Sequence, residues 1–308
     1  MSTTRRFYKP LQDFINSTAD FRIIYTIAKH PDNGNVVTSI SHPNANSDHV
    51  LSPNTRRICV LDSSFNPPHL GHYTLIKESL NPHHYFQDTT PNPNEHEFVD
   101  KEDDKAIILL LSVKNADKIK PVPESFENRL EMMYLMANDL SVKFPNSKSI
   151  SIGLTKHAKF VDKSISILNY LHSDDFNCNY LSPHIKLTFL VGFDTLLRIF
   201  NPKYYLPDKL STSLEEFMTS TDLFCLTRNN DEVADLEQSK YVEDIKQGKH
   251  IDIPTHWSNN IFLINNGEKI SLISSSNIRA SVKSGSDDWH NKVSSEIKDF
   301  IIKEKLYR

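Results

Sequence analysis

The sequence predicts an α/β protein of the Rossmann-like, doubly wound kind, with a parallel sheet and helices on both of its faces. Short continuous apolar runs, which are typical of strands covered on both faces, alternate with longer segments whose apolar residues recur at helical spacing. This alternation of strand and helix favours parallel βαβ units. With 308 residues, the chain is long enough for one large α/β domain or two small ones.

Residues 1–56 are predicted to form an N-terminal extension. Residues 10–28 of this extension indicate a short helix, followed by an extended segment that packs on the main domain. Residues 31–56 are rich in Pro, Asn, Ser and His and contain little to bury. We therefore predict a mobile linker over 31–56.

The main domain is predicted over residues 57–308. It begins with a buried strand at 58–61, a turn at 63–68 and a helix. The polar stretch 81–104 then predicts a surface insertion. Further strands are predicted at 106–113, 150–154, 185–191, 222–227 and 261–264, and further helices at 124–140, 161–171, 274–282 and 293–306.

Charge and composition exclude several classes of partner. The chain has 35 basic and 39 acidic residues, a formal net charge of −4, and no basic stripe interleaved with aromatic residues, so we expect no nucleic acid partner. The longest apolar run, residues 106–111, is far too short to span a bilayer. Three cysteines without CxxC spacing fit a reduced compartment. The expected location is the cytoplasm, with a further share in the nucleus.

The turn and helix that follow the first strand of the main domain carry the strongest functional signal. His69 and His72 are three residues apart, so both imidazoles lie on one side of the helix N-terminus, and Gly71 leaves room for a ligand. Backbone N–H groups favour an anion there, and the imidazoles add donors whose protonation follows the charge. Alternatively, two histidines among 14 are coincidental, or form half of a zinc site. A zinc site is disfavoured because the HExxH spacing and an obvious third ligand are both missing.

Three later loops follow predicted strands, where open parallel sheets bind their ligands. Lys118, after the second strand of the main domain, can reach a phosphate. Gly192 and Asp194 form a strand-to-helix turn whose carboxylate can cap the helix or bind a ribose. In the segment ISSSNIR, Ser275 can cap a helix and Arg279 returns to the same end. Each loop also has an ordinary explanation, namely a solvated lysine, a simple helix cap or a solvated arginine.

The motifs resemble those of a known superfamily. SSFNPPHLGH, residues 63–72, resembles the GxFxPxHxGH signature of nucleotidyltransferases, which transfer AMP or CMP from a nucleoside triphosphate to a phosphate acceptor. Ser63 stands where that signature has a glycine. The later GxD turn at 192–194 and ISSSNIR at 273–279 extend the resemblance to nicotinamide mononucleotide (NMN) adenylyltransferases, whose third motif reads ISSTxIR. The resemblance covers residues 57–308.

This resemblance implies an enzyme that joins ATP and NMN to give NAD and pyrophosphate by direct in-line transfer. It implies catalytic roles for His69, His72 and Arg279, and a Mg²⁺ ion bound mainly through the ATP phosphates rather than by protein ligands. It places Phe160 and Tyr205 where the family has tryptophans that sandwich the pyridine ring of NMN. The implied ATP-binding residues are Ser63, Ser64, Phe65, Lys118, Gly192, Asp194, Arg228 and Ser275.

Two rival functions remain open at this point. The first is a sister transferase that uses CTP, or that takes nicotinate mononucleotide, FMN or phosphopantetheine as acceptor. The second is an ATP-binding interaction protein in protein quality control, with the extension at 1–56 or the insertion at 81–104 as the docking surface for a protein partner.

Overall fold

A computed structural model describes residues 6–29, 36–40, 51, 55–85, 105–113, 124–144, 149–173, 185–227, 232–265 and 273–308. Lys118, Arg228 and residues 86–104 of the predicted insertion lie outside these described residues.

Within the described residues, eight strands form one sheet. They are β1 (Phe21–Lys29), β2 (Val36–Ile40), β3 (Arg57–Asp62), β4 (Lys105–Ser112), β5 (Ser149–Thr155), β6 (Lys186–Gly192), β7 (Thr221–Leu226) and β8 (Ile261–Ile264). Their order across the sheet is β2-β1-β5-β4-β3-β6-β7-β8. Strands β3 to β8 pair in parallel, whereas β1 is antiparallel to both β5 and β2.

The parallel strands have the order of a doubly wound fold. Numbered among themselves along the chain, they lie in the order 3-2-1-4-5-6. The order reverses between β3 and β6, so the chain leaves these neighbouring strands toward opposite faces of the sheet. Ligands of such folds bind in the crevice outside the carboxyl ends of the strands at this point of reversal. The predicted fold class is confirmed.

Helices cover both faces of the sheet. They are α1 (Tyr8–Asn16), α2 (Leu70–Leu80), α3 (Phe126–Lys143), α4 (Phe160–Leu171), α5 (Phe193–Ile199), α6 (Leu210–Ser220), α7 (Glu232–Lys246), α8 (Ser275–Ser284) and α9 (Ser295–Lys303). Alternate residues of β3 face opposite sides. Cys59 and Leu61 belong to a core cluster with α1, α2, α3 and α9, whereas Ile58 and Val60 belong to a second cluster with α4, α5 and α6. In the described parts of the chain, no helix is long and apolar enough to cross a membrane.

The predicted strands and helices of the main domain are present, with ends that differ by no more than about three residues. Two helices, α6 and α7, were not predicted. The apolar face of α6 is short, with Leu210, Leu214 and Phe217 as its main buried residues. Helix α7 is mostly polar, so its sequence has only a weak helical pattern of apolar residues.

The N-terminal extension contributes to the same sheet and core as the main domain. The predicted helix and extended segment are α1 and β1, and β1 pairs with β5 from Phe21 to Ala28. The boundary that we predict at residue 57 therefore falls inside one sheet. The predicted linker is wrong for residues 36–40, because the β-branched sequence VVTSI pairs with β1 as an edge strand.

The start of the predicted insertion also packs against the sheet. Residues 82–85 form a single 3-10 turn, and the ring of Tyr85 lies 5.6 Å from that of Phe224 and 4.9 Å from that of Phe262. The prediction of a surface segment is therefore wrong at Tyr85, whose aromatic ring covers strand side chains.

Candidate active site

The signature turn leaves the sheet where the strand order reverses. Asp62 ends β3, and residues 63–69 carry the chain to the N-terminus of α2. Phe65 has a positive φ of 46° and a fully buried ring, which lies 5.3 Å from the ring of His72. A positive φ is unfavourable for a bulky residue, and such backbone strain is often found at functional sites. The buried Phe65 ring anchors the turn.

The two signature histidines lie on the same side of the N-terminus of α2, as predicted, and their rings are in contact. His69 is the N-cap residue, and its Nδ1 accepts a hydrogen bond from the Gly71 N–H at 3.2 Å. His72 Nδ1 accepts from the His69 N–H at 3.0 Å, and the ring centroids are 3.9 Å apart. Because each Nδ1 is an acceptor, each neutral ring carries its proton on Nε2. The N-cap geometry therefore orients two Nε2–H donors.

His72 is neutral at physiological pH in the free protein. Burial lowers the pKa of His72 to about 4, and the hydrogen bond from the His69 backbone opposes this shift only in part. The Nε2 atom of His72 lies 2.9 Å from the Ser63 hydroxyl oxygen and donates a hydrogen bond to it. An anion near this ring would favour the charged form and raise the pKa.

Side chains from two other helices hold the backbone of the turn. Arg129 on α3 donates from Nε to the Ser64 carbonyl at 2.7 Å. On α8, Arg279 donates to the Asn66 carbonyl at 2.6 Å, and the Ser275 hydroxyl donates to the Pro67 carbonyl at 2.8 Å. Burial lowers the pKa of Arg129 to about 10, so this guanidinium stays charged at neutral pH. Two cations therefore lie against the signature turn.

One predicted role at α8 needs correction. The residue that caps this helix is Ser274, whose hydroxyl accepts from the Asn277 N–H at 3.2 Å. Ser275 is the first residue of the helix, and its hydroxyl contacts the signature turn instead. The cap therefore lies one residue before the serine that we predict.

The second predicted loop lies at the carboxyl end of β6, beside β3. Gly192 is the N-cap residue of α5, and the Asp194 side chain is exposed in the first turn of that helix. A Cβ atom added at Gly192 would meet no atom of the described residues within 4 Å. Since the backbone there has an ordinary φ of −82°, the fold itself tolerates a side chain at this position.

The two predicted pyridine-binding aromatics differ in their surroundings. Phe160 is half-buried at the start of α4, and its ring packs on that of Phe189 at 5.3 Å. Tyr205 is only 8% exposed, and its hydroxyl donates to the Ile199 carbonyl at 2.8 Å. Burial raises the pKa of Tyr205 to about 12. We therefore correct Tyr205 to a core residue and retain Phe160 as the predicted ring partner.

Sequence reasoning missed several residues at this site. Arg129 and Asn66 hold the turn, and Tyr307 at the C-terminus donates to the Asn66 side chain. Asp62 and Lys163 form a buried ion pair with an Nζ to Oδ2 distance of 2.5 Å, which joins the end of β3 to α4. An available signal was the position of Arg129 on the apolar face of a predicted helix, since a buried charge needs a specific partner.

These features define a class of protein. A strand, a turn with the HxGH histidines and a helix N-terminus at the point of reversal of a doubly wound sheet make this chain an HxGH-type nucleotidyltransferase. No protein-family model matches the chain. It is, however, 32% identical over 245 residues to a Schizosaccharomyces pombe protein provisionally named a nicotinamide mononucleotide adenylyltransferase, across 79% of this chain and 82% of that protein. The chain belongs to the nicotinamide mononucleotide adenylyltransferase family.

Among solved structures, two of the nicotinic acid mononucleotide adenylyltransferase from Plasmodium falciparum, complexed with NaAD and with APC, are similar to this chain. Each is 19% identical, and the alignments cover 82% of this chain and 97% of those chains, with TM-scores of 0.48 and 0.47. The fold class is assigned from the strand order and does not depend on this similarity.

Proposed function

We propose that this chain is a nicotinamide-nucleotide adenylyltransferase, which converts ATP and NMN into NAD and pyrophosphate. The observation that carries the proposal is the pair of adjacent imidazoles of His69 and His72 at the N-terminus of α2, beside the strand-order reversal. A helix N-terminus with oriented N–H donors suits a triphosphate. The activity named for the S. pombe relative supplies the acceptor.

In this reaction, a phosphate oxygen of NMN attacks the α-phosphorus of ATP. The bond between that phosphorus and the oxygen that bridges to the β-phosphate breaks, and pyrophosphate leaves with the bonding electrons. The nucleophile is already anionic and needs no general base. Catalysis is therefore chiefly positioning of the two nucleotides and electrostatic stabilisation of the charge that develops.

The histidines and arginines have separate roles in this proposal. His69 and His72 donate from Nε2 to the phosphate oxygens, and a phosphate oxygen replaces the Ser63 hydroxyl that contacts His72 in the free protein. Arg129 and Arg279 keep the turn in place through its carbonyls and make the local potential positive. The backbone at 63–65 and the turn at 192–194 frame the ATP. Lys118 and Arg228, outside the described residues, are further predicted phosphate ligands.

Magnesium is proposed to enter with ATP. Mg²⁺ prefers oxygen ligands and keeps several waters, so a few phosphate oxygens are enough to hold it. In the described part of the chain, no group of three His, Cys, Asp or Glu side chains is placed to hold a metal ion. Asp62 is already paired with Lys163. An ion that the ATP phosphates carry needs no such group of protein ligands. It would neutralise charge on the leaving pyrophosphate.

The test is an acceptor panel with purified protein. The chain is incubated with ATP and Mg²⁺ plus NMN, nicotinate mononucleotide, FMN or phosphopantetheine, and with CTP in place of ATP; dinucleotide and pyrophosphate are then quantified by chromatography. We expect NAD and pyrophosphate in equal amounts with NMN. A dinucleotide formed with FMN or phosphopantetheine but not with NMN would identify a sister transferase. ATP binding without any transfer would favour the interaction protein.

A cytoplasmic location with a nuclear share, and a protein partner at residues 1–56 or 81–104, remain predictions from the sequence.

A further inference from the structure

The last residues of the chain turn back toward the signature turn. After α9, the Leu306 N–H donates to the Ile301 carbonyl at 3.1 Å, and Lys305 has a left-handed φ of 53°. This is the usual way in which a helix ends when its last carbonyls are satisfied by a reversal of the backbone. Leu306 is 5% exposed and fastens the tail to the first core cluster.

Tyr307 has a second left-handed backbone conformation, with a φ of 64°, beyond the residues of this helix ending. Its hydroxyl donates to Asn66 Oδ1 at 3.0 Å across 241 positions of sequence. The same Asn66 oxygen accepts a longer bond of 3.4 Å from the Glu124 N–H, and the Asn66 carbonyl accepts from Arg279. Asn66 is thus held by the tail, by the segment before α3 and by α8.

The surroundings of the Tyr307 hydroxyl keep it protonated. Burial raises the pKa of Tyr307, and the negative charge of Glu124 adds to this, whereas Arg279 and Arg129 act in the opposite direction. The phenol therefore remains a hydrogen-bond donor at physiological pH. The charges that act on it belong to the residues that hold the signature turn, so Tyr307 lies among the supports of the proposed ATP site.

We propose that Tyr307 is a positioning residue for the reaction, which fixes Asn66 and through it the turn that carries His69 and His72. The inference rests on the proposed function. It assigns a role to the C-terminal tail, four residues beyond the end of α9. Removing one support of a polar network loosens the groups that the network orients, and transferases that work by positioning are sensitive to such loosening.

The test compares Tyr307→Phe with the same change at a second tyrosine. Tyr307→Phe removes the hydroxyl and keeps the ring. The matched control is Tyr25→Phe, because Tyr25 is buried and its hydroxyl also donates to an asparagine oxygen, Asn138 Oδ1, at 3.5 Å, on the β1 side of α3. We expect Tyr307→Phe to lower kcat for NAD synthesis and to raise the Kd of ATP by about three- to tenfold each. The KM for NMN and the unfolding midpoint should change no more than in the control.

A purely structural role would give a different result. If kcat and the Kd of ATP of Tyr307→Phe match those of Tyr25→Phe, the inference is wrong. A double-mutant cycle with Asn66→Ala adds a second criterion, since Tyr307→Phe should have no further effect once the Asn66 side chain is absent. If the fold-changes of the two single variants instead multiply in the double variant, Tyr307 does not act through Asn66. If the wild-type chain makes no dinucleotide, the proposed function fails. The Kd of ATP, measured by calorimetry for wild type and Tyr307→Phe, then still tests whether the hydrogen bond from Tyr307 to Asn66 supports the ATP site.

Discussion

Helix α2 has a cluster of polar groups at each end, and the two clusters differ in how their charge is balanced. At its C-terminus the buried Lys105 ammonium donates to the carbonyls of Ser79 and Leu80, at 3.2 Å each, and lies 4.3 Å from the centroid of the Tyr85 ring. A cation next to the negative end of a helix dipole is electrostatically satisfied. This cluster is complete without a ligand.

At the N-terminus of α2 the cations add to the positive end of the dipole. Arg129 and Arg279 donate to turn carbonyls, which carry no net charge, and the nearby carboxylate of Asp62 is paired with Lys163. This positive charge would attract an anionic ligand. Burial of charged side chains therefore does not by itself identify the site. The site is identified by the sign of the helix dipole at that end, together with the charge of the groups that contact the buried side chains.

The largest effect is expected from a change at the N-terminal end of α2. His72→Ala should lower kcat by roughly 10²–10³-fold, about 3–4 kcal/mol in the barrier, because an oriented donor is lost where charge develops. The measurement is steady-state NAD formation with a denaturation curve on the same sample. A His72→Ala enzyme with wild-type turnover and ATP affinity would make the histidines structural.

Lys105→Met tests the opposite end of the helix. The change keeps the length of the side chain but leaves two buried carbonyls without their charged donor. We expect the free energy of unfolding to fall by about 2–3 kcal/mol, measured by urea denaturation. The kcat and KM of the folded fraction should stay at their wild-type values. A selective loss of turnover without a loss of stability would show that the two ends of α2 are functionally coupled.

The pH dependence of stability tests the electrostatics at the N-terminal end of α2. His72 has a folded pKa of about 4 against a usual value of 6.5. Between these values the unfolded chain binds a proton that the folded chain does not, so stability falls as the pH falls through 6.5 toward 4. From about pH 7 to about pH 5, this group should cost about 2 kcal/mol. Urea denaturation at both pH values should show that much less loss in His72→Ala than in wild type; equal losses would contradict the low pKa.

Local patterns in the sequence were enough to predict the parallel strands, the helix after the signature turn and the placement of His69 and His72 on one side of its N-terminus. These features depend on residues close in sequence and on rules that hold for every doubly wound sheet. The hydrogen bond from Tyr307 to Asn66 joins residues that are 241 positions apart, and no periodic pattern in the sequence indicates it. That Ser274 rather than Ser275 caps α8 is a difference of one residue in the cap position, which propensity does not resolve.

The smallest expected effect concerns the proposed NMN side of the site. There Phe160 is the predicted ring partner, whereas Tyr205 is a core residue. Stacking and cation–π attraction to a partly cationic pyridine ring contribute about 0.5–2 kcal/mol. Phe160→Leu keeps apolar volume but removes the aromatic face, so the KM for NMN should rise by roughly three- to thirty-fold while the KM for ATP stays unchanged. Phe160→Trp should lower the KM for NMN, because a larger ring stacks better.

The control at this side is Tyr205→Phe, which removes the hydrogen bond to the Ile199 carbonyl. It should reduce the free energy of unfolding by about 1 kcal/mol and leave both KM values unchanged. The two Phe160 variants have opposite expected signs, which a packing role cannot reproduce, because a core position destabilised by leucine is also overfilled by tryptophan. If both variants lower stability and neither changes the KM for NMN, Phe160 belongs to the core with Phe189, and the ring partner of the acceptor must be sought among other side chains.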